Sequence, residues 1–414
     1  MSNYPLDFDV DFTRSLYPDG IWDWSFFENA GGSFVPSSVI SRLTAYMTET
    51  QVQPGAEYPA SALAARRMAD GHRLMAEMIG ATPDEVTVSA STSINVYVLS
   101  HALRPLWQDG DEVIVAVQNH EANSGSWRRL ADTGITIVEW PVDPVSGALD
   151  TATLAGLLTD KTRLVAFPHV SNIVGAINDV PAITRMVHDC GAMVCVDGVA
   201  FAPHRAVDVK AWDVDFYLFS FYKVFGPHMG CLYGKKERLL EARGQYHYFI
   251  GEDETAKKLN PSGPQHEMIA SLCGISDYFD ALADHHLNQK PNSLHDRVKA
   301  VCDIAARHEE ELAQRFVDVV QSNPKIRLIG PATADLNTRV PTFSFVIEGL
   351  KSADVCKHLL DHKVAASHGH FYAKRLIEAL GIDDSEDGVV RASMAHYTSM
   401  DDVERLTTGL EKLL

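Results

Sequence analysis

Ala192-Met193-Val194-Cys195-Val196-Asp197-Gly198 is a run of five apolar residues that stops abruptly at a carboxylate and a glycine. Apolar residues without polar alternation describe a strand covered on both faces. The pattern recurs upstream in Glu112-Val113-Ile114-Val115-Ala116-Val117, Thr136-Ile137-Val138-Glu139 and Arg163-Leu164-Val165-Ala166-Phe167, and in the shorter Glu85-Val86-Thr87-Val88. Downstream it returns in Phe216-Tyr217-Leu218-Phe219. Segments with helical spacing separate several of these runs: Ile94 to Leu106, Asp150 to Leu158 and Val180 to Cys190. Buried strands alternating with helices predict an α/β fold with a mainly parallel sheet. In such a sheet ligands lie beyond the carboxyl ends of the strands, so polar residues just after strands are the candidates for chemistry.

The pattern changes at Asn288-Gln289-Lys290-Pro291-Asn292-Ser293, a polar stretch suited to a linker. A long helix is predicted from Leu294 to Gln321. It is followed by a strand at Thr342–Ile347, a helix near Ala353 to His362, a strand near Val389 to Met394 and a last helix from about Met400. This is an α+β C-terminal domain. A chain of 414 residues exceeds the usual size of one core. The expected division is an N-terminal segment 1–25 packing with the small domain, a large domain 26–287 and a small domain 288–414.

A net charge of −19 argues against nucleic acid and anionic lipid as partners. No apolar run is long enough to span a bilayer. The start, Met1-Ser2-Asn3-Tyr4-Pro5-Leu6-Asp7, lacks the basic and apolar regions of a signal peptide. Six scattered cysteines without a C-x-x-C pair read as reduced, mostly buried thiols in the cytoplasm.

Three positions that follow strands fit one cofactor. Ser89-Ala90-Ser91-Thr92-Ser93 offers hydroxyls and a helix N-terminus to a phosphate, although plain N-capping uses the same residues. Asp197 can hold a pyridine nitrogen protonated, or can simply form an Asp-Gly turn. Lys223, in Ser220-Phe221-Tyr222-Lys223-Val224-Phe225-Gly226-Pro227-His228-Met229-Gly230, is placed to form a Schiff base if desolvation lowers its pKa; a surface lysine is the plainer alternative. Together they point to pyridoxal 5'-phosphate (PLP), held by Lys223 as an internal aldimine.

The segment from Val196-Asp197-Gly198 through Ser220-x-x-Lys223 to Gly226-Pro227 resembles the class V aminotransferase family of fold-type I PLP enzymes, with cysteine desulfurases and selenocysteine lyases as the nearer likeness. Three further segments carry the resemblance: Glu28-Asn29-Ala30-Gly31-Gly32, His169-Val170-Ser171-Asn172-Ile173-Val174-Gly175 and Val390-Arg391-Ala392-Ser393. It implies a large domain on a mainly parallel seven-stranded sheet, a smaller α+β C-terminal domain, and a homodimer. It also implies that Ser91, Thr92 and Ser220 contact the phosphate and that His120 stacks on the pyridine and acts with Lys223 in catalysis. Asn172 would lie near the phenolic oxygen and the substrate carboxylate, which Arg391 would grip, with Ala30 and His370 close to the substrate.

The departures bear on the reaction. Cysteine desulfurases carry a nucleophilic cysteine on a mobile loop, and the matching Ala365-Ala366-Ser367-His368-Gly369-His370-Phe371-Tyr372 has none. Tyr222 stands where the family has a histidine, and Ala200 where it has a glutamine. His368, His370 and Tyr372 could serve as acid/base groups. Metal binding by His368-x-His370 is disfavoured without an accompanying carboxylate or cysteine cluster. The expectation is a PLP-dependent transferase or lyase acting on a small amino acid through an external aldimine and quinonoid, without persulfide formation. An epimerase of the same fold and a non-catalytic PLP-fold binding protein are the rivals.

Overall fold

A computed structural model describes residues 8–414. The first seven residues of the N-terminal segment lie outside the described residues. The strands among them are β1 (Ser25–Phe26), β2 (Val86–Ser89), β3 (Glu112–Ala116), β4 (Thr136–Trp140), β5 (Thr162–Pro168), β6 (Met193–Asp197), β7 (Phe216–Ser220), β8 (Gly230–Gly234), β9 (Ile326–Ile329), β10 (Thr342–Ile347), β11 (Val364–Ala365), β12 (Ser367–Gly369) and β13 (Val389–Ser393).

Strands β2 to β8 form a seven-stranded sheet in the order β2-β8-β7-β6-β5-β3-β4. β8 is antiparallel to both its neighbours, while the remaining pairings are parallel. All strands of this sheet except β8 therefore point the same way. β6, β7 and β8 are buried along their whole length, as continuous apolar runs require of a sheet covered on both faces. The carboxyl ends of β2, β3, β5, β6 and β7 meet at one edge.

The C-terminal part is a four-stranded antiparallel sheet, β12-β13-β10-β9. The helix Leu294–Ser322 links the two cores. Its Leu294, Val298, Val301 and Ile304 belong to the large core, and Leu312, Phe316 and Val320 pack in the small one. Both cores also reach the N-terminal side: Tyr17 packs in the large core, Phe27 packs in the small one, and β1 pairs with β11. The helix Val10–Ser15 is held from both directions, by an Arg14–Asp402 ion pair and by a hydrogen bond from the Asp9 N–H to His286 Nε2 at 3.0 Å. No helix among the described residues is long and apolar enough to cross a membrane.

Gly175 is fixed by this arrangement. Its φ is +73°, and a Cβ there would come within 2.3 Å of the Thr342 carbonyl oxygen. Only glycine lets the loop after β5 lie directly against β10.

Candidate active site

The site assembles at the carboxyl edge of the large sheet. The loop after β2 brings Ser91 and Thr92, the loop after β3 brings His120, and the loop after β5 brings Asn172. Asp197 ends β6, and Ser220 and Lys223 follow from β7. All of these line one cavity of about 70 Å³, with Ala200 and Tyr222 beside them. It opens into a cleft of about 940 Å³ whose walls include Ala30, His370, Phe371, Tyr372 and Arg391. Every site residue expected from the sequence is in one of these two connected spaces.

At the phosphate end, Thr92 Oγ1 and Ser220 Oγ are 2.6 Å apart. Ser91 caps the helix Thr92–Leu103, its hydroxyl accepting from the Ile94 N–H at 3.2 Å. The first N–H groups of that helix have no partner within it, so capping and anion binding coexist at this turn. Gly230, opposite both Ser89 and Ser220 in the sheet, is what admits it. A Cβ on Gly230 would lie 2.4 Å from Ser91 C and Thr92 N.

Lys223 is buried, and burial together with the Arg391 charge lowers its pKa to about 7 against the opposing pull of Asp197. Burial raises Asp197 to about 6, partly offset by a hydrogen bond from the Val199 N–H and by the Lys223 charge. His120 is held near 3 by burial and by the charges of Lys223 and Arg391, so its ring is neutral at neutral pH. Its Nδ1 accepts from the Ala122 N–H at 3.0 Å. Tyr222 lies ring to ring with His228 at 4.7 Å.

Arg391 sits in β13 between Ser344 of β10 and Ser367 of β12. It is buried, and burial lowers it to about 10 while the Glu28 charge pushes the other way. Among the described residues its only hydrogen bond is a long one, 3.3 Å from Nη1 to the Asn172 carbonyl oxygen, and it makes no ion pair. A guanidinium has five donors, so this cation is left in need of an anion. Asn172 donates from Nδ2 to the Phe371 carbonyl at 2.9 Å, and its buried Oδ1 has no partner among the described residues.

The turn at 28–33 joins the two halves of the site. The Ala30 N–H donates to Ser393 Oγ at 2.7 Å and the Gly31 N–H to the Glu28 carbonyl at 2.7 Å. On the other side the Ser33 N–H donates to the Tyr222 carbonyl at 2.9 Å. Ala30 therefore borders the substrate space but has no free N–H to offer a carboxylate. His370 is in the outer cleft, with Nδ1 accepting from the Tyr372 N–H at 3.0 Å and Nε2 3.8 Å from Glu386. No cysteine among the described residues lines either space.

Two contributors escaped the sequence reading. Gly230 shows its role only once β8 is known to run beside the phosphate turn. Phe371, whose ring is 3.7 Å from Arg391 Cζ, lies in a loop where the absence of cysteine was the more conspicuous signal.

The cavity fits PLP: hydroxyls and a helix start face a buried lysine and a buried carboxylate across a space bordered by an imidazole. Fold and site together define a fold-type I PLP enzyme. Comparison with known proteins agrees. The class-V aminotransferase profile matches residues 25–406. The aminotransferase-like protein FGM3 of Gibberella zeae is 37% identical, over 98% of this chain and 99% of that protein. The cysteine desulfurase-like protein ustD of Aspergillus flavus is 32% identical, over 98% of this chain and 91% of its own. The apo structure of a cysteine desulfurase from Thermococcus onnurineus NA1 superposes with a TM-score of 0.84 at 24% identity, covering 100% of this chain and 98% of that one. The chain belongs to the class-V aminotransferase family.

Proposed function

We propose that this enzyme acts at the α-carbon of a small α-amino acid, with a lyase or transaminase outcome and without passing sulfur through a cysteine. The observation that carries this is Arg391, a buried guanidinium with one long hydrogen bond, bordering the cleft that also holds Lys223. A substrate α-carboxylate would supply the bidentate partner the guanidinium lacks.

When bound, the cofactor supplies an electron sink for the bonds at the α-carbon. Ser91, Thr92 and Ser220 would hold its phosphate, Asp197 its ring nitrogen, and His120 and Ala200 would border the ring. A protonated ring nitrogen would keep Asp197 ionised despite its burial. Lys223, near pKa 7, has a large neutral fraction at neutral pH and suits both covalent attachment and removal of the α-proton. Arg391 would fix the carboxylate and so decide which α-substituent faces that amine.

The sulfur-relay alternative needs a thiolate in the cleft, and no cysteine among the described residues borders it. The six thiols form no disulfide, which suits a reducing compartment such as the cytoplasm. A homodimer belongs to the same reading. It is supported by the family likeness and by exposed Ile40 and Met47, seven residues apart on one helix.

The test is a screen of L-amino acids with the PLP-loaded enzyme in D2O. It follows α-deuterium exchange, oxo acid, ammonia, sulfide and the D-isomer together. Exchange with release of oxo acid or ammonia is expected for at least one amino acid. The D-isomer as the main product would move the reading to an epimerase. Bound PLP with no exchange on any amino acid would mark a non-catalytic binder.

A further inference from the structure

Phe371 and Tyr372 are consecutive residues with positive φ, +46° and +59°. Non-glycine side chains avoid this region, and a pair of them persists only where the surroundings hold it. Bonds within the loop and bonds to its neighbours hold it here. The Tyr372 N–H donates to His370 Nδ1 at 3.0 Å. The Tyr372 carbonyl accepts from the Glu121 N–H at 2.7 Å, and the Ala373 N–H donates to the His370 carbonyl at 2.8 Å. Asn172 Nδ2 donates to the Phe371 carbonyl at 2.9 Å, and Arg375 pairs with Glu121 at 2.6 Å. The loop is thereby fastened to the segments that carry His120 and Asn172.

These fastenings place the Phe371 ring on Arg391, with Cζ 3.7 Å from the ring centroid. The five N–H donors of a guanidinium lie in its plane. A ring stacked on one face blocks approach from that side and keeps water off it, leaving the edge open. The edge is where a carboxylate makes two parallel hydrogen bonds. We propose that Phe371 is a positioning and specificity-determining residue: its ring turns Arg391 into an edge-on receptor for the α-carboxylate, so that α-amino acids are selected over the corresponding amines. This rests on the reading of Arg391 as the carboxylate site.

The test uses the PLP-loaded enzyme and matched pairs that differ only in the α-carboxylate: L-alanine and ethylamine, L-serine and ethanolamine, L-aspartate and β-alanine. Dissociation constants are read from the cofactor absorbance, and the melting temperature of each variant is recorded. Wild type is expected to prefer the acid in at least one pair. Arg391→Ala should abolish that preference. Phe371→Ala and Phe371→Leu should reduce it roughly thirtyfold, the worth of a desolvated cation–π contact of about 2 kcal/mol, and Phe371→Tyr should retain it. Phe371→Gly separates ring from backbone, since glycine adopts positive φ freely. A glycine variant that melts like wild type but has lost the preference supports the proposal. Wild-type preference in the glycine and leucine variants, with Arg391→Ala defective, overturns the role of Phe371 and leaves that of Arg391 standing. No acid preference in wild type, or one that survives Arg391→Ala, removes the reading of Arg391 and this inference with it.

Discussion

At Lys223 three influences meet on one amine: burial and the Arg391 charge lower its pKa, and Asp197 raises it. A lowered pKa means that the neutral, nucleophilic form is lost only as pH falls below about 7. Capture of PLP by the apo protein should therefore accelerate with pH up to roughly neutrality and then level off. Arg391→Ala removes a repelling cation and should shift the midpoint upward; Asp197→Asn removes an attracting anion and should shift it downward. Stopped-flow absorbance across pH 5 to 10 reads all three, and a capture rate still climbing tenfold per unit above pH 8 would contradict the assignment. Borohydride reduction followed by peptide mapping should place the label on Lys223 and on no other lysine. Asp197→Asn keeps the size of the side chain but loses the charge that would hold the ring nitrogen protonated, so α-proton exchange should slow by orders of magnitude while the fold melts near the wild-type temperature. Unchanged exchange would leave Asp197 as a turn residue, its Oδ1 accepting from the Val199 N–H. Both residues were legible because Asp197 ends one apolar run and Lys223 comes in the turn just after another. Phe371 was not, because its effect comes from where a loop is fastened rather than from its own chemistry.

At the scale of elements, the strands that read well are those buried on both faces. β3, β5, β6 and β7 each contain an unbroken run of four or more apolar residues, and β10 was read at Thr342–Ile347 as observed. β8 passed unread, because Gly230-Cys231-Leu232-Tyr233-Gly234 has glycine at both ends and runs against its neighbours. β9 and β12 are short edge strands whose burial is incomplete, so little apolar pattern marks them. The polar stretch read as a linker is the turn between the helices Cys273–His286 and Leu294–Ser322. β8 also carries a prediction. Gly230→Ala places a methyl 2.4 Å from backbone atoms of Ser91 and Thr92, which cannot swing aside as a side chain would. The turn must shift, at a cost of about 1–3 kcal/mol typical of overpacking. PLP affinity should fall and the melting temperature with it, measured by equilibrium dialysis and thermal unfolding. Gly156→Ala, in the helix Thr151–Leu157 with no atom within 4 Å of the added Cβ, is the control: PLP affinity should not change, and the melting temperature should hold or rise slightly. An unaltered affinity in Gly230→Ala would show that the phosphate does not depend on that turn.

Over the whole molecule, the site exists only because distant parts of the chain meet. The turn at 28–33 bonds to Ser393 on one side and to Tyr222 on the other, which sets the buried arginine of the small sheet against the lysine of the large one. No local pattern encodes that distance; family likeness alone implied it. The cysteines are the opposite case, since their failure to converge on the cleft is a property of the entire fold. Cys195 and Cys231 lie inside the large sheet, and burial raises both thiols. Burial lifts Cys273 to about 11 and Cys302 and Cys356 to about 12. Cys190 is half-buried, with Sγ 3.1 Å from the Val187 carbonyl oxygen. A thiol that burial holds protonated is not a nucleophile, and Cys190 lines neither space of the site, so removing the six should cost packing and spare chemistry. Losing all six at once risks the fold, because each buried site can cost roughly 0.5–3 kcal/mol against a total stability of about 5–15 kcal/mol. Two alanine variants divide the risk, one lacking Cys190, Cys273 and Cys356 and the other lacking Cys195, Cys231 and Cys302. Both should melt lower than wild type, and both should turn over the true substrate at close to the wild-type rate. Loss of turnover in one that remains folded with PLP bound, or a persulfide trapped on any of the six during reaction, would return sulfur relay to the mechanism.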